Sequence, residues 1–177
     1  IQLCNKRNIP IIFLQNVTGF LVGKDFERQA IIKKGSQMIN AVSNSTVPHI
    51  TIVVGASYGA GTYALSGRAY NNRFTVLWPT AKIAVMGPEQ IAGVMSIVRR
   101  AKAQRIGEKF DEKADKEIVN MVQAAAENLS HALVASSMMT DDGIIDPRDT
   151  RTVIGFCLSV CANTTIEGAT EYGVFRL

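Results

Sequence analysis

Histidine and cysteine are scarce in this sequence, and long apolar runs are missing. The 177 residues include two histidines, His49 and His131, and three cysteines, Cys4, Cys157 and Cys161. The cysteines have no metal-ligand or disulfide spacing, and the last two stand four apart in an apolar helical pattern, which predicts buried thiols in a reducing compartment. No HExxH, CxxC or GxSxG motif occurs, so each histidine is predicted to be structural or exposed. No apolar run reaches the ~20 residues of a membrane span.

Acidic residues are missing from the middle of the chain. There is no Asp or Glu between Arg28 and Pro88. A site in this window is expected to have no carboxylate nearby, which favours an oxyanion or an anionic substrate. The net charge of +4 is modest, and no Lys/Arg block alternates with aromatic residues, so we expect no nucleic-acid partner. The same window carries five cations: Lys33, Lys34, Arg68, Arg73 and Lys82.

The first third of the chain predicts two parallel strands joined by a helix. With 47% hydrophobic residues, the chain can bury the core of one domain. The run Ile9–Gln15 predicts a buried strand, a helical period follows from a cap at Asp25 to Val42, and Ile50–Val54 predicts the second strand. Short connections make this a right-handed βαβ unit of an α/β fold. Gly35, in the middle of the helix, is explained by close backbone packing.

The remaining elements are two short strands and several helices. The strands are Phe74–Trp78 and Lys82–Met86, and a helix begins at Pro88 with apolar residues on one face. The twelve charges of residues 99–117 predict a solvated helical pair. The aspartates at 141, 142, 146 and 149 lack calcium-loop spacing and are assigned to turns and to the cap of a last helix. The chain starts IQLCNKRN with no initiator Met, as expected of a fragment.

The stretch Ile50–Gly67 (ITIVVGASYGAGTYALSG) organises the rest of the chain. An apolar strand ends in a glycine-rich turn, and a short helical segment of small residues follows. Backbone amides at the start of a helix can hold an anion or a developing oxyanion. We therefore predict that the reactive groups are the backbone amides of Ala60 and Gly61. Ser57 and Ser66 have no base that the sequence pairs with them.

The glycine turn has three other possible interpretations. A phosphate-binding loop would need the lysine of GxxxxGK[ST], which is missing. The pattern Gly59-x-Gly61-x-x-Ala64 satisfies a loose dinucleotide fingerprint, but that site also needs an acid about 20 residues later, and none occurs. Small residues that simply allow a strand and a helix to pack closely remain an alternative at this point.

Several segments, taken together and in order, resemble the C-terminal half of a biotin-dependent acyl-CoA carboxyltransferase. The similarity is strongest to the non-biotinylated β subunits of methylcrotonoyl-CoA carboxylases, and it is weakest between about residues 110 and 139. The segments are FLQNVTGFLVGKDFE, IKKGSQM, VPHITIVVGASYGAGTYALSGRAY, FTVLWPTAKIAVMGPEQ, DDGIIDPRDTR and YGVFRL.

The resemblance implies a crotonase-like β-β-α spiral domain with a helical insertion. Residues 1–177 would be the C-terminal domain of a longer two-domain chain whose N-terminal carboxyltransferase domain lies outside this sequence. The expected partners are a biotin-carrying α subunit with biotin carboxylase activity and further β subunits, as an α6β6 assembly, with no membrane. The expected location is the mitochondrial matrix in a eukaryote and the cytoplasm in a bacterium.

The resemblance also implies which residues form the site. The amides of Ala60 and Gly61 would be the oxyanion hole for the ureido oxygen of biotin, which arrives as carboxybiotin on the partner. Thr18, Gly19 and Phe20 would line the biotin pocket, with Tyr58 and Gly59 beside the hole and no metal. The implied reaction is carboxylation of 3-methylcrotonyl-CoA to 3-methylglutaconyl-CoA, a step of leucine degradation in an ATP-dependent holoenzyme.

Other functions stay open from the sequence alone. Within the same class, the acyl-CoA substrate could be geranyl-CoA or propionyl-CoA, although the propionyl type fits the turn less well. In another class, the chain would be a non-catalytic assembly or interaction domain. A crotonase-type hydratase would need acidic catalytic residues near the glycine loop, and that window has none.

Overall fold

Four parallel strands form the sheet, with eight helices around it in the part of the chain that is described. The computed structural model describes residues 1–174. The strands are β1 (Ile11–Val17), β2 (His49–Tyr58), β3 (Phe74–Leu77) and β4 (Lys82–Ala84). The helices are α1 (Gln2–Lys6), α2 (Lys24–Arg28), α3 (Ile31–Asn44), α4 (Ala60–Ala64), α5 (Pro88–Ile106), α6 (Glu112–Ser130), α7 (Ala132–Ser137) and α8 (Thr150–Cys161). Two 3₁₀ turns cover Arg68–Tyr70 and Pro147–Asp149.

Strand β2 is the centre of the sheet and pairs with all three other strands. It lies beside β1 on one side, while the first half of its other side pairs with β3 and the second half with β4. Every one of these pairings is parallel, which confirms the βαβ unit predicted from the first third of the sequence. The two later strands are also confirmed, with somewhat shorter bounds than predicted.

Apolar residues are buried on both faces of β2. Ile50 and Ile52 point to one face and are almost fully buried. Val53 points to the other face, where helix α7 packs, and side chains of β3 and of the turn before β4 join it. Burial on both faces is typical of a parallel strand with helices on either side. The cluster on the second face consists of Val53, Leu77, Ala81, Ala132 and Ala135.

Strand β2 is longer than predicted because it contains an irregularity opposite Asn16. Gln15 pairs with Val53, whereas Val17 pairs with Ser57, so β2 has extra residues at this point. The Asn16 side chain accepts a hydrogen bond from the Ala56 amide at 3.1 Å and so satisfies a donor that the ladder leaves free. The prediction that the strand ends at Val54 was therefore wrong, since pairing resumes and continues to Tyr58. Such irregularities bend a strand and redirect its end.

The helix predicted from Asp25 to Val42 is in fact two helices. The chain breaks at Ala30, which has left-handed backbone angles (φ 61°, ψ 38°), between α2 and α3. Gly23 occupies the N-cap position of α2, so the predicted cap at Asp25 was wrong. Gly35 does mark a close contact, but with a side chain: a Cβ there would lie 3.0 Å from the Phe20 ring.

Helices α5 and α6 form the predicted helical pair, held by ion pairs between them. Arg100 donates two hydrogen bonds to Glu112, at 2.6 and 2.9 Å. Asp115 differs from the prediction of a solvated pair, because it is buried against Ser96 and forms an ion pair with Arg99 at 2.9 Å. The predicted apolar face of α5 is largely exposed, with Val98 at 61%. Within residues 1–174, no helix is both long and apolar enough to cross a membrane.

The C-terminal part of the described chain agrees with its predicted turns and caps. Asp146 accepts a hydrogen bond from the Arg148 amide at 2.8 Å and so caps the 3₁₀ turn that leads into α8. Cys157 and Cys161 are free and buried, as predicted, and burial raises the pKa of the Cys157 thiol. Of the terminal segment YGVFRL, the last three residues lie outside the described residues.

Candidate active site

Gly59 forms the turn between β2 and the short helix α4. Its backbone angles (φ 56°, ψ −138°) are ones that L-residues rarely adopt, and its amide donates to the Ala84 carbonyl at 3.0 Å. A Cβ at this position would lie only 3.0 Å from the Val85 carbonyl oxygen. Both the backbone conformation and the approach of β4 therefore require glycine here.

The first two amides of α4 are the strongest candidates for a functional group. Ala60 and Gly61 begin the helix, where no preceding turn supplies acceptors. In the described part of the chain, neither amide donates a hydrogen bond to a protein group. A cavity of about 310 Å³ lies at this turn, lined by Gly59, Thr62, Tyr63, Ile83, Ala84 and Val85. The cavity lining includes the chain neighbours of this pair, Gly59 and Thr62, but neither Ala60 nor Gly61. Two unpaired backbone donors next to a cavity are suited to an oxygen that carries negative charge.

The loop after β1 reaches this turn. A Cβ on Gly61 would lie 3.3 Å from the Gly19 Cα, and one on Gly19 would lie 3.8 Å from the Tyr58 carbonyl. Gly19, Tyr58, Gly59 and Gly61 are thus brought together, with Ala60 exposed beside them. Glycine at position 61 lets α4 lie directly against β1.

Three of the predicted site residues have side chains that lie away from the turn at Gly59. Thr18 is exposed on the loop. The ring of Phe20 packs on α3 at Gly35, and the Tyr58 ring lies near Gly87 at the start of α5. In the described chain, none of these three residues is among those that line the cavity, which include Thr62, Tyr63 and Val85.

A buried polar side chain that sequence reasoning missed lies beneath α4. Gln15 donates from Nε2 to the Leu65 carbonyl at 2.8 Å and to the Thr62 carbonyl at 3.3 Å. Its Oε1 accepts from the Ser57 hydroxyl at 2.6 Å, and the Thr62 hydroxyl is 2.8 Å from that of Ser57. The only signal in the sequence was a glutamine at the end of an otherwise apolar run.

The structure also pairs Ser66 with a histidine, which the sequence could not show. His49 Nδ1 lies 2.8 Å from Ser66 Oγ, and Nε2 lies 2.8 Å from Ser45 Oγ. His49 is 4% exposed, and burial lowers its pKa from 6.5 to about 4. Ser66 is fully buried, so no substrate reaches this pair. The predicted structural role of His49 is confirmed.

The stability of the protein should fall in mild acid because of His49. The unfolded chain takes up this proton near pH 6.5 and the folded chain only near pH 4, so the contribution is complete above 6.5 and is lost as the pH falls towards 4. The full contribution is about 3 kcal/mol, of which about 2 kcal/mol is lost by pH 5. Urea unfolding at pH 7 and pH 5 measures it. The fall in the free energy of unfolding between pH 7 and pH 5 should be smaller in His49→Gln than in the wild type. An equal fall in both proteins would contradict the assignment of this pH dependence to His49.

The site is less free of carboxylates in space than in sequence. Arg68 forms an ion pair with Asp142 at 2.8 Å, and Lys82 forms a close ion pair with Glu127. The hydrogen bond that Lys82 donates to Glu127 raises the pKa of Lys82. Both acids come from the later part of the chain, which corrects the expectation that a site in this window has no carboxylate nearby. In the described chain, no group of three or more His, Cys, Asp and Glu could hold a metal ion.

The geometry places two backbone amides, unpaired within the described chain, at the junction of a strand and a helix in a parallel α/β domain. Comparison with known proteins then identifies the family. The family model described as "carboxyl transferase domain" matches residues 1–174, and the chain belongs to this family. Its fold is the crotonase-like fold of carboxyltransferase β subunits, which confirms the fold class inferred from the resemblance.

Individual relatives support the same assignment. Over its whole length, the chain is 56% identical to a probable biotin-dependent acyl-CoA carboxylase beta2 subunit of Mycobacterium tuberculosis, and the match covers 34% of that protein. Again over its whole length, it is 45% identical to a mitochondrial methylcrotonoyl-CoA carboxylase beta chain of Arabidopsis thaliana, and the match covers 30% of that protein. The structure of the P. aeruginosa geranyl-CoA carboxylase beta subunit matches with a TM-score of 0.86 and 41% identity, covering 99% of this chain and 33% of that one. The chain thus spans about a third of the length of these relatives.

Proposed function

We propose that this chain is the C-terminal carboxyltransferase domain of a biotin-dependent acyl-CoA carboxylase β subunit. The observation that carries the proposal is the pair of unpaired amides at Ala60 and Gly61, which stand beside a cavity. When bound, carboxybiotin supplies CO2 and a ureido group that becomes negatively charged as CO2 leaves. The two amides donate hydrogen bonds to that ureido oxygen and stabilise its charge. No side-chain base is required of this chain, because the ureido anion can itself accept the proton of the acyl-CoA.

The remaining site residues serve the same pocket. The Thr18–Phe20 loop forms its wall next to Gly61, while Tyr58 and Gly59 set the direction in which α4 begins. Because the donors are fixed by the backbone, they need no reorganisation as charge develops. We place the acyl-CoA site mainly in an N-terminal carboxyltransferase domain outside this sequence, contributed by a neighbouring β subunit.

The proposed partners follow from the family and from the surface. A biotin-carrying α subunit with biotin carboxylase activity delivers carboxybiotin, and the β subunits assemble as a hexamer in an α6β6, ATP-dependent holoenzyme. Support comes from large apolar side chains that are exposed in the isolated chain, among them Leu14 on β1 at 61% and Val85 at the cavity at 90%. Exposed apolar surface of this extent is expected to pack on other protein.

The proposed substrate is 3-methylcrotonyl-CoA, which the enzyme converts to 3-methylglutaconyl-CoA in leucine degradation. Support comes from the identity to a methylcrotonoyl-CoA carboxylase beta chain. The second candidate is geranyl-CoA, favoured by the match to the geranyl-CoA carboxylase structure. The location we propose is the mitochondrial matrix if the source is a eukaryote, and the bacterial cytoplasm otherwise.

A substrate panel tests this proposal. The full-length subunit, assembled with its biotin-carrying partner, would be assayed with methylcrotonoyl-, geranyl- and propionyl-CoA. We expect kcat/KM to be at least about tenfold higher for methylcrotonoyl-CoA. A preference for geranyl-CoA would show that geranyl-CoA, and not 3-methylcrotonyl-CoA, is the substrate, while the proposed carboxyl-transfer reaction would stand. If the partner carboxylates its biotin but no acyl-CoA is carboxylated, the catalytic role would be wrong and an assembly role would stand in its place.

A further inference from the structure

Helix α4 is too short to hold its own position. It has five residues, and the amides that donate to its Gly61, Thr62 and Tyr63 carbonyls belong to Leu65, Gly67 and Ser66, which lie beyond its last residue. Isolated helices of this length are unstable, and α4 must be fixed by the structure around it. The direction of the Ala60 and Gly61 amides therefore depends on contacts outside the helix.

Gln15 supplies the main side-chain contacts of this kind. It is 1% exposed, and its amide nitrogen donates to two carbonyls of the α4 segment, Thr62 and Leu65. Ser57 holds the other end of the amide group by donating to Oε1. Both the donor and the acceptor of the Gln15 side-chain amide are thus occupied. Ser57 on β2 fixes the orientation of this amide group, and the amide group in turn fixes the position of α4.

We propose that Gln15 is a positioning residue for carboxyl transfer, which holds α4 so that the Ala60 and Gly61 amides point at the oxygen they stabilise. The inference rests on the proposed function of those amides. Thr62 directly follows Gly61 in the chain, so a displacement of the Thr62 carbonyl is transmitted to the donors. Displacement of catalytic groups by about 1 Å can lower a rate about 100-fold.

Two substitutions of Gln15 separate this role from general stability. Gln15→Met keeps the size of the side chain and removes the donor, so kcat should fall about 10- to 100-fold, with the KM for acyl-CoA within about threefold of wild type. Gln15→Glu places a carboxylate beside two carbonyl oxygens at neutral pH, but a protonated Glu can donate to Leu65. Its kcat relative to wild type should therefore rise as the pH is lowered, whereas that of Gln15→Met should not.

The measurements use the full-length subunit in the assembled enzyme, well below its melting temperature. Gln123→Met, on the exposed side of α6, is the matched control and should keep wild-type kcat. Hydrogen exchange of residues 60–70 provides a second readout that does not depend on activity. The amides of Leu65, Ser66 and Gly67 close α4 and should exchange faster in Gln15→Met.

The outcomes distinguish this inference from the proposed function. Faster exchange together with a lower kcat and an unchanged KM supports it. Unchanged exchange would show that Gln15 does not hold α4 and would overturn it. Faster exchange with wild-type kcat in Gln15→Met also overturns the inference. The Ala60→Pro variant then shows the reason. If Ala60→Pro is inactive, the amides act without Gln15, whereas if it is active, the proposed oxyanion hole itself is wrong.

Discussion

Replacing Ala60 with proline is expected to lower carboxyl transfer by about 10²- to 10³-fold while leaving the fold intact. Proline has no N–H, so the variant loses one of the two proposed donors, and loss of one such donor costs about 3 to 4 kcal/mol of transition-state stabilisation. Ala60 is the first residue of α4, the helix position that accepts proline most readily. The preceding Gly59 is not in the helical conformation that proline disfavours in its neighbour. The measurement is kcat of the full assembly with its acyl-CoA.

Ala60→Ser is the matched control for this variant. Serine keeps the backbone donor, and position 60 is exposed, so the added hydroxyl meets no packed core. We expect Ala60→Ser to keep activity within about threefold of wild type, because the backbone donor is retained and only one small hydroxyl group is added. Wild-type carboxyl transfer in Ala60→Pro, with thermal unfolding also at the wild-type temperature, would eliminate the Ala60 amide as part of the oxyanion hole.

Features with local signals were predictable from the sequence. The β-branched run before Gly55, the glycines at 59 and 61 and the small residues after them are adjacent in the chain, and their spacing predicts a strand, a turn and a helix. The parallel pairing of β1 with β2 follows from the short connections around the intervening helices. These elements put the Ala60 and Gly61 amides at the start of a helix without any long-range information.

Features that depend on contacts between distant residues were not predictable. Gln15 meets Thr62 and Leu65 across about 50 positions, and nothing near Gln15 signals which carbonyls it will contact. The carboxylate of Asp142 that pairs with Arg68 comes from 74 positions later. The break at Ala30 is equally hidden, because alanine is a strong helix former and its left-handed conformation is imposed by the surrounding structure. Tertiary contacts outweighed local preference in each case.

The site consequently has two layers with different origins. The upper layer is backbone, at Gly59, Ala60 and Gly61, and it is encoded by a short stretch of sequence. The lower layer is made of side chains from β1 and β2, chiefly Gln15 and Ser57. Gln15 donates to the Leu65 carbonyl and adds a second donor to the Thr62 carbonyl, which also accepts from the Gly67 amide. A site built in this way can have reactive groups without reactive side chains, which explains why the usual catalytic motifs are missing from the sequence.

Gly59→Ala is expected to damage both stability and activity, because two separate constraints act at this residue. An L-residue at φ 56° and ψ −138° is strained by about 1 to 3 kcal/mol. The added Cβ would also lie 3.0 Å from the Val85 carbonyl, a backbone atom of the β4 end that cannot rotate away. We expect the free energy of unfolding to fall by about 2 to 4 kcal/mol. Any relief by rotation of the turn would redirect the Ala60 amide, so kcat should fall at least about 100-fold.

Gly93→Ala makes the same chemical change where neither constraint exists. Gly93 lies inside α5 with ordinary backbone angles, and no atom lies within 4 Å of a Cβ built there. Alanine in a helix is favoured over glycine by about 1 kcal/mol, so this variant should be more stable than wild type. Urea unfolding of both variants, with kcat of the assembled enzyme, provides the comparison. Equal effects of the two substitutions would show that the turn at Gly59 is not constrained as the structure indicates, and that the start of α4 tolerates a different path.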